Sequence, residues 1–154
     1  MKLNFYLRLC THFFVAVILA FFLASLFHSQ FVMAELSKVG VEILFNDRLS
    51  MSLDDLFGLF PTYGIVIAVS HFISFIVAGL LIKRFKLSPN IVYFLAGGVG
   101  VTVALLAMHP ILEITLLAGA RSTFGFLCQS LAGAIGGLVF SYLRTHESGT
   151  KTLI

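Results

Sequence analysis

Arg121 to Leu143, RSTFGFLCQSLAGAIGGLVFSYL, is the stretch around which the chain is organised. It is long and apolar enough to cross a hydrocarbon core as one helix. At about 100° per residue its two sides are unlike. Arg121, Gly125, Gln129, Ala132, Gly133 and Gly136 fall on one side; Phe124, Leu127, Leu131, Ile135, Leu138 and Tyr142 fall on the other. The second side suits acyl chains. The first has almost no side-chain bulk, so another helix can approach its backbone closely. Gly133 and Gly137 also stand four apart, the small-xxx-small spacing of membrane helix packing. Packing against helices of the same chain is the expectation, with another subunit as the alternative. Gln129, the strongly polar side chain inside the span, is expected to bond to a neighbouring helix for roughly 1 kcal/mol.

The rest of the composition places this helix in a membrane protein. Of 154 residues, 59% are hydrophobic and only 11% charged, too few charges to solvate a globule. The mean hydropathy is +1.04. The length gives room for four spans of about 20 residues with short loops and for no separate soluble domain. The net charge of +3 comes with no basic run of the nucleic-acid type, so no nucleic-acid partner is expected. Cys10 and Cys128 fall at opposite ends of their spans, too far apart in depth to pair.

The fold class expected is all-α: a polytopic four-helix membrane bundle, one domain over 1–154. The spans are placed at about 9–28, 63–82, 91–108 and 122–143. The first carries the row His12, Ala16, Ala20, Ala24, His28, a narrow face for packing. Its charged start and Val32-Met33-Ala34 also fit a cleaved signal peptide. The apolar core is at the upper end of signal length, which favours a retained span. Residues 29–61 form the outer loop, acidic and still rich in Leu, Phe and Val. Ser52-Leu53-Asp54-Asp55 resembles a helix start, with serine as cap and acids in the first turn. Leu53, Leu56, Phe57 and Phe60 then make an apolar side. One or two short amphipathic helices lying on the membrane surface are expected; a docking surface for a partner protein is the alternative. In the second span Gly64, Ile67, His71, Ser74 and Ala78 share one side. Ser88-Pro89-Asn90 opens the third span with proline at the first helical position. Tyr93, Gly97, Gly100, Ala104 and Ala107 lie along one side of that span. His109-Pro110 closes it, and 110–120 is too short to cross and too apolar for an open loop, so an interfacial or re-entrant piece is expected. The tail after Leu143 is polar and expected to be mobile.

Orientation follows from lysine and arginine. Lys2 and Arg8, then Lys83, Arg84 and Lys86, then Arg144 and Lys151 lie on one side of a four-span arrangement. Lys38, Arg48 and Arg121 are diluted on the other. Both termini are therefore expected in the cytoplasm, with the chain in a bacterial inner membrane. Tyr6, Tyr63, Tyr93 and Tyr142 fall at span ends, the interfacial depth that tyrosine favours.

His71, Gln129, Arg121, Glu113 and His109 are the residues that could carry chemistry. His71 falls near mid-membrane among small residues. An ionisable group there is a functional hypothesis by default, against the simpler reading of a neutral ring bonded to a serine or carbonyl. No histidine of the first span stands at its depth, which disfavours a haem held by two histidines; no cofactor is expected. His28, His109 and Glu113 could share the outer level as a metal site, though no spacing demands it. Arg121 with Ser122 and Thr123 at a helix N-terminus could bind an anion. No nucleophile motif, phosphate loop, HExxH or CxxC is present. The small-residue faces, carried by Gly97, Gly100, Gly125, Gly133, Gly136 and Gly137, are packing signals. The expected function is thus a non-enzymatic accessory or assembly subunit, with a membrane protein partner or a second copy. A small transporter or channel with a polar path near His71, Gln129 and Arg121 is the alternative. A membrane enzyme using His109, Glu113 and Arg121 would lack a nucleophile.

Overall fold

The computed structural model describes residues 2–112 and 122–150. It is all-helical: α1 Lys2–Lys38, α2 Phe45–Leu59, a π-helical turn Phe60–Gly64, α3 Ile65–Phe85, α4 Pro89–Leu112 and α5 Thr123–Thr150. Four of these stretches are long and apolar enough to cross a membrane.

α5 is the centre. It packs most extensively on α4 and then on α1, while α3 lies mainly on α4. Gly125, Gln129, Ala132, Gly133 and Gly136 are buried, and Phe124, Leu127, Leu131, Leu138 and Tyr142 are exposed, as the helical period requires. The approach of α4 to α5 is backbone to backbone. A Cβ on Gly97 would run into the carbonyl of Gly133, and a Cβ on Gly137 into that of Tyr93. On the opposite flank, a Cβ on Gly136 would stand 2.8 Å from Ala20 Cβ and 2.9 Å from the Ala16 carbonyl. The alanine row of α1 thus seats on α5: Ala16, Ala20 and Ala24 are buried.

The small side of α4 is split between two neighbours. Tyr93, Gly97 and Val101 turn toward α5. Gly100 turns toward α3, where an added Cβ would meet Ser74 Oγ at 2.9 Å. An aromatic cluster ties all four long helices together. Phe13 of α1 meets Phe75 of α3 edge-on at 6.2 Å; Phe75 stacks on Phe140 of α5 at 4.6 Å; Tyr93 of α4 meets Phe140 at 5.0 Å.

Several helices outrun the expected boundaries. α1 continues unbroken through Val32-Met33-Ala34 to Lys38, ten residues past the apolar core. The polar segment keeps a helical period and Glu35 pairs with Lys38 at 2.7 Å, so nothing local stops it until Gly40 at φ +85°. α2 begins at Phe45 rather than near Ser52. Asp47 accepts from the Leu44 amide at 3.2 Å in its first turn, whereas Ser52 Oγ turns back to the Arg48 carbonyl. Pro61 has no N–H to donate; the helix widens into a π-turn there and continues into α3 instead of stopping. α2 lies along α1, with Leu56 and Leu59 packed on the cluster around Ala20, Phe21 and Ala24. α4 runs through His109-Pro110 to Leu112. The tail after Leu143 is helical to Thr150. The expected interfacial piece at 110–120 lies, from 113 on, outside the described residues.

Candidate functional site

The polar side chains inside the bundle form bonded groups at three levels. At mid-height His71 is fully buried. Its Nδ1 lies 3.0 Å from the Ile67 carbonyl of its own helix, and its Nε2 lies 3.2 Å from the Gly133 carbonyl of α5. A neutral imidazole has one N–H for these two acceptors, so the tautomer decides whether the ring bonds within α3 or ties α3 to α5. A Cβ on Gly136 would stand 3.1 Å from His71 Nε2, so the bare Gly136 leaves the room that the ring occupies beside α5. Phe75 closes the pocket with its ring centroid 5.0 Å from that of His71. The neighbouring serines bond elsewhere, Ser70 to the Ile67 carbonyl and Ser74 to the His71 carbonyl.

One level away, Gln129 of α5 is also fully buried. Its Oε1 accepts from Tyr63 Oη at 2.9 Å, and its Nε2 donates to the Ala24 carbonyl at 3.0 Å. One amide therefore joins α5 to α1 and to the turn that opens α3. Beside it, Ser29 donates to Asp55 Oδ2 at 2.7 Å, holding α2 on α1. Ser25 Oγ is buried with no hydrogen-bond partner among the described residues. His28, on the same side of α1, is buried too.

At the other end Arg144 donates to Tyr93 Oη at 2.6 Å and Ser141 to Asn90 Oδ1 at 2.8 Å. Tyr63 and Tyr93 are each only 2% exposed. They are not interfacial anchors, as their place at the span ends suggested, but hydrogen-bonded parts of the interior. Tyr6 and Tyr142 are the exposed pair. Across the helix pair, Thr102 and Ser130 hydroxyls bond at 2.8 Å.

Among the described residues, the expected site residues do not form one constellation. His71 and Gln129 share the interior of the bundle but bond to different partners. Arg121 and Glu113 lie outside the described residues, as does the His109 side chain. Ser122, expected to help hold an anion, has its hydroxyl engaged as the cap of α5, accepting from the Gly125 amide at 3.0 Å. Among the described residues no group of His, Cys, Asp and Glu is gathered as a metal site. Tyr63, Asp55 and Asn90 are among the polar participants whose bonding roles the spacing of the chain did not signal.

Apolar side chains are exposed on every long helix. An open groove of about 890 Å³ runs between α3 and α4, and neither His71 nor Gln129 lines it. On α2, Phe45, Leu49, Leu53 and Phe57 recur every fourth residue and are exposed, Phe45 at 79% and Phe57 at 76%. The chain matches no protein-family model, no curated protein and no solved structure at a significant level.

Proposed function

We propose that this chain is an integral membrane protein of four spans, with both termini in the cytoplasm, that works as a non-enzymatic accessory or assembly subunit. The observation that carries the reading is the exposed stripe Phe45, Leu49, Leu53 and Phe57 on α2. Such a stripe needs a cover, which the membrane surface or a partner protein supplies. α2 is tied to α1 through Ser29 and Asp55 and through Leu56 and Leu59, which turns the stripe away from the bundle. Asp47 and Asp54 on the same helix add acidic specificity to an apolar contact. The interior supports the same reading. His71 and Gln129 are engaged by partners within the bundle, whereas a transport path needs them to face a passage.

Purification from native membranes in mild detergent tests it. A second protein is expected at a fixed ratio, and Phe45→Ser with Phe57→Ser is expected to release it while leaving abundance unchanged. A lone, monodisperse chain with nothing associated would overturn the reading.

A further inference from the structure

We propose that the groove between α3 and α4 and the basic turn at its end form one binding site for an anionic phospholipid. An acyl chain lies in the groove, and the phosphate sits at Lys83, Arg84 and Lys86. The inference rests on the membrane-spanning reading above but not on the subunit role.

The groove fits an acyl chain in size and in lining. Its volume is about 890 Å³, and its walls are Val69, Ile73 and Val77 on α3 facing Leu95, Val99 and Val103 on α4. The hydroxyls of Ser70 and Ser74 at its floor are bonded to backbone carbonyls of α3, so they ask for no polar ligand. At one end the groove is bounded by Leu81, Leu87 and Val92, on either side of the turn that carries the three cations. Lys83, Arg84 and Lys86 are all exposed. The sequence holds no acid between Asp55 and Glu113, so no carboxylate of this turn or of its two helices neutralises them. α4 begins at Pro89 in the same turn, and the open amides of its first turn add positive potential. A basic pocket between two spans on the cytoplasmic side is the setting that recognises anionic headgroups.

A general excess of cytoplasmic cations would also put lysine here. It does not account for Lys86. Lys86 closes α3 in the left-handed region at φ 54°, where glycine is the less strained choice. A charged side chain held at that backbone cost, at the mouth of an apolar groove, points to a use for the charge.

Native mass spectrometry of the full chain in detergent tests this with phosphatidylglycerol and phosphatidylcholine of identical chains. The wild type is expected to retain phosphatidylglycerol about tenfold better, at a few-fold per cation. Lys86→Gly relieves the backbone and is expected to unfold no earlier than wild type, yet to lose several-fold of that preference. Ala104→Phe, which fills the groove, is expected to lose both lipids. Equal retention of the two lipids by wild type, or an unchanged preference in Lys86→Gly, would overturn the proposal. So would a protein companion that Ala104→Phe releases while lipid binding persists, because the groove would then seat a partner helix. A chain that does not fractionate with membranes overturns the membrane-spanning reading itself, which keeps the two failures apart.

Discussion

A single methyl group separates the glycines that this bundle requires from those it only tolerates. At Gly97 and Gly137 an added Cβ meets the backbone carbonyls of Gly133 and Tyr93. Backbone cannot swing aside, so α4 and α5 must move apart. That separation also withdraws the Gly133 carbonyl from His71 and loosens the Thr102–Ser130 bond. Gly97→Ala and Gly137→Ala are each expected to cost about 2 kcal/mol or more, the range for overpacked cores. Gly58 is the internal control. It sits in α2, where an added Cβ meets nothing within 4 Å. Gly58→Ala is expected to stabilise by up to about 1 kcal/mol through helix propensity. Thermal unfolding in one detergent should therefore show two midpoints fall and one rise. Three equal midpoints would mean that the α4–α5 contact is looser than its backbone separation requires.

Among the elements, α2 is held most lightly. It has no fully buried residue, and its anchor to α1 is Ser29–Asp55 with Leu56 and Leu59 below it. Asp55→Ala removes the acceptor and is expected to cost about 1 kcal/mol, a typical hydrogen bond near a surface. The loss should be local: amide exchange should quicken across 45–59 and stay unchanged in the buried half of α5. Uniform quickening would make α2 part of the bundle's cooperative unit. The same element marks the limit of what the sequence discloses. The two faces of α5 were legible because a 3.6-residue period sorts glycine from leucine over many turns. So was the start of α4, since Ser88-Pro89 can be read locally. The length of α1 was not: from Ser29 to Lys38 the polarity of a loop and of an exposed helix are alike. Pro61 signals a break, and the π-turn absorbs it. Nor were the inward tyrosines legible, because Gln129 is 66 residues from Tyr63 and Arg144 is 51 from Tyr93. Local patterns carry no such pairing. His71 is legible as a ring that bonds to a serine or a carbonyl; of its two carbonyl neighbours Ile67 is local, whereas Gly133 of α5 is 62 residues away.

For the whole molecule the decisive quantity is which end faces the cytoplasm. Arg144 bonds to Tyr93, Ser141 to Asn90, and Phe13 of α1 meets Phe75 of α3, which puts Lys83, Arg84 and Lys86 at the same end as Arg8 and Arg144. The opposite end carries the α1–α2 hairpin with Glu35, Glu42, Asp47, Asp54 and Asp55 against Lys38 and Arg48. Cations in short loops resist translocation, and the orientation proposed above keeps the basic end inside. In a background with Cys10→Ser and Cys128→Ser, single cysteines at Glu42 and Ser88 report on the two ends. Both positions are exposed and lie outside the helices. A membrane-impermeant maleimide on intact cells is expected to label Glu42→Cys and to reach Ser88→Cys only after permeabilisation. The converse pattern would place the basic turn outside, removing the cytoplasmic leaflet from the reach of Lys86. Labelling of both from outside would mean that the helices do not enclose the interior of a bilayer at all, and that the lipid-like faces of α5 are covered by protein instead.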